Sequence, residues 1–312
     1  MDNDIDSRLF TSLIHEVFDY IHPDYNLLIH REGSTDVQRG KILSIDLIMV
    51  SGMENEFKDV LLSLRFKSKL CTIAARRGYI NTLRWARENG CEWNVDTCKA
   101  AAEGGHLDCL IWAREHGCLW AWRDMCNAAM RGGSICTLKW IREQGCSWDS
   151  DTCKAAASEG NLDCLIFARE HGCDWDETTC SYAARGGHLD CLIWAREHGC
   201  DWDVSTCSNA AREGHLDCLI WAREHGCDWD SSTCSGAVNG GHLDCLIWAR
   251  EHGCDWDMWT CLYAASRGHL DCLIWAQDNG CLLFPSACMR IAQEAGHTNI
   301  TEWILSQGLP ST

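Results

Sequence analysis

Histidine and cysteine recur at a fixed offset along this 312-residue chain: His106 and Cys109, His188 and Cys191, His215 and Cys218, and His242 and Cys245 each stand three residues apart. On a helix that spacing puts both side chains on one face, which could supply half of a four-ligand zinc site. Asp-Trp-Asp at 201–203, 228–230 and 255–257 offers paired carboxylates to a cation such as calcium. Twenty-four cysteines raise a third chemistry, a disulfide framework. Each falls short on its own terms. No Cys-x-x-Cys occurs to complete a zinc tetrahedron. An EF-hand needs a longer ligand series closed by a bidentate Glu, so helix capping is the better account of these acids. Equivalent cysteines of successive units stand one helix layer, roughly 10 Å, apart, beyond bridging distance, although cysteines of different series can approach one another. The sequence therefore predicts no metal, no cofactor and reduced thiols used as small buried apolar groups. A metal- or redox-responsive array built on the cysteines stays open as a lesser class.

All these residues are rungs of one repeat. The string GHLDCLIWAREHGC occurs unchanged at 105–118, 187–200, 214–227 and 241–254, with near copies at 160–173 and 268–281. The cysteines of its Gly-Cys pairs stand at 91, 118, 146, 173, 200, 227, 254 and 281, a spacing of 27 with one interval of 28. One extra residue in LWAWRDM (119–125) accounts for the exception. A second series from Cys71 to Cys288 and a third including Cys109 and Cys272 keep the same rhythm. A fixed period of 20–50 residues marks a solenoid, propeller or array, and nine units span about 68 to 309. An active site is a constellation that stands out from its framework, whereas here every His, Cys and Asp is one copy of a ladder. The chain is not expected to be an enzyme.

Within DWDVSTCSNAAREGHLDCLIWAREHG (201–226), Asp203 or Ser205 is a good N-cap and the run to Arg212 tolerates a helix that Gly214 stops. A second helix follows His215 and ends at Gly226, with Asp217 in its first turn and Arg223 in its last, as the helix dipole favours. Helices of about ten residues are marginal alone. Leu216, Cys218, Leu219, Trp221 and Ala222 predict a second helix sandwiched between neighbours, and Ala210 and Ala211 keep the first one thin. The expected architecture is an all-α solenoid of about nine stacked helix-turn-helix units.

The string AAREGHLDCLIWAREHGCD resembles the ankyrin repeat in its Ala-Ala, its Gly-His pair, its apolar helix and its Gly-small-Asp end. The resemblance puts Cys218 at a buried Ile position, Trp221 at a Leu position, Cys227 at the small residue after Gly, and Cys207 at the Leu of a Thr-Pro-Leu-His start. That start is absent, and the unit has 27 residues instead of 33, the shortfall lying in the β-hairpin finger, which becomes the short turn Gly-Cys-Asp-Trp-Asp. Short Cys/Trp-rich units of this kind are similar to those expanded in large DNA viruses of amoebae. The resemblance implies a structural hydrogen-bonding role for the His, a concave face lined by first helices, and a protein partner bound there. The terminal units GYINTLRWARENGC and AGHTNITEWILSQG, with Asn81, Thr82, Thr298, Asn299 and Glu302 at framework positions, are expected to cap the array.

Second helices are nearly constant along the chain and first helices vary, at positions about two before, one or two after and five after their Cys. From these positions, Trp122, Tyr182, Arg185, Arg212, Met258, Trp259 and Tyr263 are the candidate partner-binding residues, aromatics being typical interface anchors. Exposed positions that drift without purpose are the alternative. Along the opposite face, Asp217, Ile220 and Glu224 recur as a ladder suited to packing. With 45 acids against 27 bases the net charge is −18, which repels nucleic acid and favours a partner with a basic surface. The longest apolar runs are too short to cross a membrane, and MDNDIDSRLF has neither n-region nor h-region of a secretory signal. A cytoplasmic monomer is expected.

Residues 1–67 lack the cysteine rhythm and form a separate segment from the array at 68–312. Leu9, Leu13, Val17 and Ile21 predict an amphipathic helix ended by Pro23, with further helices at about 37–50 and 54–66, together a helical cap on the first repeat. The segment also resembles the start of an F-box, without its Leu-Pro opening. That likeness implies the alternative function of a ubiquitin-ligase substrate receptor.

Overall fold

The computed structural model describes residues 69–120 and 122–307, the side chains of Trp122 and Arg123 excepted. The helices expected within 1–67, with the cap and F-box readings, lie outside the described residues.

Local signals decide where each helix starts and stops. In the unit read above, the Asp203 carboxylate accepts the Ser205 N–H at 3.0 Å and opens a helix at Val204–Glu213. Gly214 ends it at φ 79°, where the His215 N–H donates back to the Ala210 carbonyl at 2.8 Å. A second helix, Leu216–Glu224, follows at once and closes with the Cys227 N–H on the Ala222 carbonyl at 2.9 Å. Both spans fall within a residue of the sequence expectation. In the Asp-Trp-Asp turn only the second acid caps; the side chain of Asp201 is exposed and lies 4.0 Å from Arg196.

Repetition of that hairpin gives an all-α solenoid of eighteen helices among the described residues. The first pairs are Leu70–Arg77 (α1) with Ile80–Glu88 (α2), Val95–Glu103 (α3) with Leu107–Glu115 (α4), and Trp122–Gly132 (α5) with Ile135–Glu143 (α6). Ser150–Ser158 (α7) pairs with Leu162–Glu170 (α8), Glu177–Gly186 (α9) with Leu189–Glu197 (α10), and Val204–Glu213 (α11) with Leu216–Glu224 (α12). Ser231–Gly240 (α13) and Leu243–Glu251 (α14), Met258–Arg267 (α15) and Leu270–Asp278 (α16), and Pro285–Ala295 (α17) and Thr298–Ser306 (α18) complete the series.

The chain divides into two compact units, Met1–Ala74 with Tyr79–Trp93, and Ala75–Gly78 with Asn94–Thr312. In the described part of the smaller unit, Leu70, Cys71, Ala74, Leu83, Ala86 and Cys91 are buried. Thr82 is buried there too, so it fills the place of the missing Cys and does not present the polar outer surface expected of an end cap. In the larger unit each first helix packs on the next from α3 to α17, and second helices pack on one another from α6 to α16. The last hairpin does end polar: Thr298, Asn299 and Glu302 are exposed.

The core of a central unit is Thr206, Cys207, Ala210, Ala211, Cys218, Leu219, Ala222 and Cys227, all essentially without solvent contact. Trp221 corrects the sandwiched-helix expectation. It is half-buried, because Cys218, Leu219 and Ala222 alone fill the inner stripe and no room is left for an indole. His215 makes no side-chain hydrogen bond to its own helix N-terminus. Its imidazole lies instead against Gly187 of the preceding unit, and His297 in the last unit brings Nε2 to 3.1 Å from the Ser266 carbonyl of the unit before.

Gly187 sits at φ 73°, and a Cβ there would meet His215 Nδ1 at 2.5 Å; Gly199 sits at φ 85° facing open space. Left-handed strain alone costs roughly 1–2 kcal/mol, and overpacking adds about 1–3 kcal/mol. Gly199→Ala should therefore lower unfolding stability by about 1 kcal/mol and Gly187→Ala by about 3 kcal/mol, as read from urea denaturation. Equal losses would mean that the glycine–imidazole contact between units is not a packing constraint.

Candidate protein-recognition surface

First helices face solvent along the side that their helix ends and outer positions define. Polar groups bridge neighbouring rungs there: Arg76–Glu103 at 2.7 Å, Arg131–Glu103 at 3.8 Å, Arg185–Glu213 at 3.6 Å, and Arg267 Nε on Asn239 Oδ1 at 2.8 Å. Pairs this exposed contribute little stability each. Their effect is to set the charge pattern of the surface.

Tyr182 and Arg185 of α9 line a cavity of about 300 Å³ with Ser158 and Glu159 from the unit before and Glu213 from the unit after. The Tyr182 ring has Lys154 Nζ 5.3 Å and the Arg185 guanidinium 5.8 Å from its centroid. The Asp151 carboxylate bonds Lys154 and holds its ammonium above the ordinary lysine range. Across the same rungs, the Thr178 hydroxyl holds the capping carboxyl of Asp176 below the usual carboxylate range.

Met258, Trp259 and Tyr263 share α15 and are 47%, 52% and 38% exposed, with the Trp259 and Tyr263 rings 6.0 Å apart. In the next unit Leu282 and Phe284, at positions that repeat spacing does not mark as a surface, are 75% and 41% exposed. Both precede α17, which packs on α15, and Phe284 is its N-cap residue. Arg212 is exposed on α11, between the two groups. The seven candidates thus do not form one pocket: Tyr182 and Arg185 come together, Met258, Trp259 and Tyr263 come together, and the side chain of Trp122 lies outside the described residues. Among the varied positions, Ser181 and Leu262 point inward, 3% and 8% exposed, so the position one after the Cys does not reliably face solvent.

The other side carries a feature that the repeat string contained but periodicity did not reveal. Arg196 lies 4.5 Å over the Trp202 ring; Trp202 meets Trp221 edge-on at 5.8 Å; and Trp221 stacks on His225 at 4.3 Å. Arg223 then covers Trp229 at 4.5 Å, and the pattern runs on to Trp256 and Trp275. Arginine over a ring face and edge-to-face indoles are both attractive geometries. The signal available in sequence was the Arg near the end of each second helix from α2 to α14, followed six residues later by a turn Trp. Where Phe167 replaces the usual Trp and Lys139 the usual Ile, this ladder opens into a hollow of about 690 Å³ floored by Trp148 and Phe167.

Among the described residues no three His, Cys, Asp or Glu side chains converge as a metal-binding group. The thiols donate to backbone carbonyls: Cys200, Cys227 and Cys254 Sγ lie 3.2, 3.3 and 3.2 Å from the carbonyls of Asp176, Asp203 and Asp230, and Cys234 Sγ lies 3.9 Å from that of Cys254. The thiol of Cys227, then burial, push the Cys207 thiol far up, while Cys207 in turn draws Cys227 down. In the third series burial pushes Cys191, Cys218, Cys245 and Cys272 up to about 12. Every cysteine is unbridged, and only Cys136 is exposed. No helix among the described residues is long and apolar enough to cross a membrane.

Because Trp259 and Tyr263 are largely in solvent, the double variant Trp259→Ala/Tyr263→Ala should change unfolding stability by no more than about 0.5–1 kcal/mol and leave the circular dichroism spectrum intact. A loss of several kcal/mol would make these rings part of the fold and not a free surface.

No protein-family model and no curated protein matches this chain. Among solved structures, the ankyrin repeat domain of human ASB11 is similar to it, at a TM-score of 0.40 and 17% identity over 51% of this chain and 84% of that one.

Proposed function

We propose that this chain is a non-catalytic scaffold that binds a protein partner on the outward face of its first helices, the face that the ankyrin resemblance makes concave. The observation that supports this most is the exposed cluster Met258, Trp259 and Tyr263 on α15: three large apolar side chains in solvent on a helix whose inner stripe is already complete with Thr260, Cys261, Ala264 and Ala265. Packing does not account for that choice, whereas aromatic and Met side chains are enriched at interface centres. Tyr182, Arg185 and Arg212 form a polar stretch of the same face nearer the middle of the array, and Trp122 belongs to the same set of positions. Asp255 and Asp257 flank the apolar cluster and the chain carries a net charge of −18, so the partner presents apolar anchors framed by Lys and Arg. The protein acts as a monomer in the cytoplasm.

Affinity capture from cytosol tests this with the full chain and a full-chain variant carrying Tyr182→Ala, Trp259→Ala and Tyr263→Ala. The expected result is a partner retained by the native chain, released by the variant, and bound more weakly as salt rises from 50 to about 300 mM, since screening shortens to within a few ångströms. Equal recovery by both baits would remove the first-helix face as the binding surface. Ligase components among the equally retained proteins would point to the F-box alternative.

A further inference from the structure

We propose that the hollow at Trp148 and Phe167 is a binding site for a small planar aromatic carboxylate. It lies on the second-helix side of the array and is independent of partner recognition by the first helices.

Repetition fixes the frame of this side, and two positions depart from it here. Ile111, Ile166, Ile193, Ile220, Ile247 and Ile274 hold one place on their second helices, and Lys139 on α6 holds it instead. The place that follows is a Trp in every second helix except α8, which has Phe167. The two departures come from different units, yet they meet: Lys139 Nζ stands 5.3 Å from the centroid of the Phe167 ring. On either side the ladder is intact, with Trp120 on Trp140 and Trp175 on Trp194 both at 5.7 Å. The opening of about 690 Å³ is therefore confined to one rung. That size lies within the roughly 300–1,000 Å³ of small-molecule sites, and the closed rungs beside it leave no channel for an extended chain.

The lost ring and the gained charge define what fits. Trp148 meets Phe167 edge-on at 6.2 Å and both are half-buried, so a flat apolar group entering the hollow packs on aromatic surface where other units place their own indole. His171 rests on Phe167 at 4.1 Å, with Nδ1 2.8 Å from the Phe167 carbonyl, and forms a wall. Arg142 is already engaged: its guanidinium donates to the Cys146 carbonyl and lies 3.9 Å over Trp148. Lys139 is not, since no carboxylate forms an ion pair with it among the described residues. Glu143 and Glu170 also line the hollow, but a Glu holds their place in each second helix from α2 to α14, so they belong to the frame. What this rung gains over the others is one ammonium and room for a ring. A carboxylate carried on a planar ring complements both.

The test is equilibrium dialysis of the full chain against 2-naphthoate, a two-ring carboxylate, with the site located by fluorine NMR of the chain labelled with 4-fluorophenylalanine. The Phe167 signal is assigned by its loss in Phe167→Trp. The expected result is one saturable site per chain and a shift of that signal. Phe167→Trp and Lys139→Ile each install the residue of the other units. The first should abolish binding by filling the hollow, and the second should weaken it about fivefold, as should neutral 2-naphthylmethanol offered to the native chain. Trp221→Phe with Ile193→Lys copies both departures into another rung and should add a second site. Equal binding by the native chain and Phe167→Trp, tighter binding of cationic 2-naphthylmethylamine than of the carboxylate, no second site in the folded double variant, or no saturable binding in the millimolar range would each overturn the proposal. If a variant fails to fold, the comparison of the three naphthyl compounds on the native chain still decides it.

Discussion

The close approach of consecutive first helices is the constraint on which the rest of the larger unit depends. Thr206, Cys207, Ala210 and Ala211 are completely buried between one helix and the next, and nothing larger fits in so thin a layer. Dense interiors penalise even one extra methylene. A cysteine supplies apolar volume between Ala and Val, and its weak S–H can still donate to a nearby carbonyl, as Cys227 does to Asp203 at 3.3 Å. The unusual cysteine content follows from that geometry. The same thinness forces a reversal within a few residues, so the chain turns at a left-handed glycine whose missing Cβ is replaced by the imidazole of the next unit.

Second helices are joined by a different device. Their inner stripe is narrow and their indoles remain half in solvent, so units are linked there by the Arg–Trp–Trp–His ladder. The Arg has two tasks. Arg223 ties down the Cys227 carbonyl at the turn and spreads over Trp229 in the segment that follows. With no hairpin finger between units, the turn tryptophan Trp229 meets the second-helix Trp248 edge-on at 5.7 Å and so links one second helix to the next. A residue type that looks like core in a single unit is thus a connector in the array.

These two devices occupy nearly all the chemically capable residues. Among the described residues, histidines of the repeat pack against glycines or on Trp and Phe rings, the second acid of each Asp-Trp-Asp turn caps a helix, and arginines of the second helices hold carbonyls. What remains open to variation is the outward side of the first helices, where Tyr182 stands between two cations and α15 carries Met258, Trp259 and Tyr263. A constant frame with a changing outer row is the arrangement a recognition surface requires, because specificity can be altered rung by rung without disturbing the layer contacts.

The sequence by itself determined the period, the two-helix unit, its caps at Asp203 and Gly214 and the inward stripe of Cys218, Leu219 and Ala222. These follow from local spacing and backbone preference, and a 27-residue repeat states them many times over. It also carried the outward position of Trp259 and Tyr263, since copies within one chain expose which positions are free. Only the tertiary structure decided that Trp221 stays at the surface, that Ser181 and Leu262 turn inward, that His215 reaches Gly187 of another unit, and that the Cys227 thiol finds the Asp203 carbonyl. Each of those outcomes depends on the distance between layers and the rotation of one helix against the next. A helical period specifies the face on which a side chain emerges, but not which neighbour stands opposite that face.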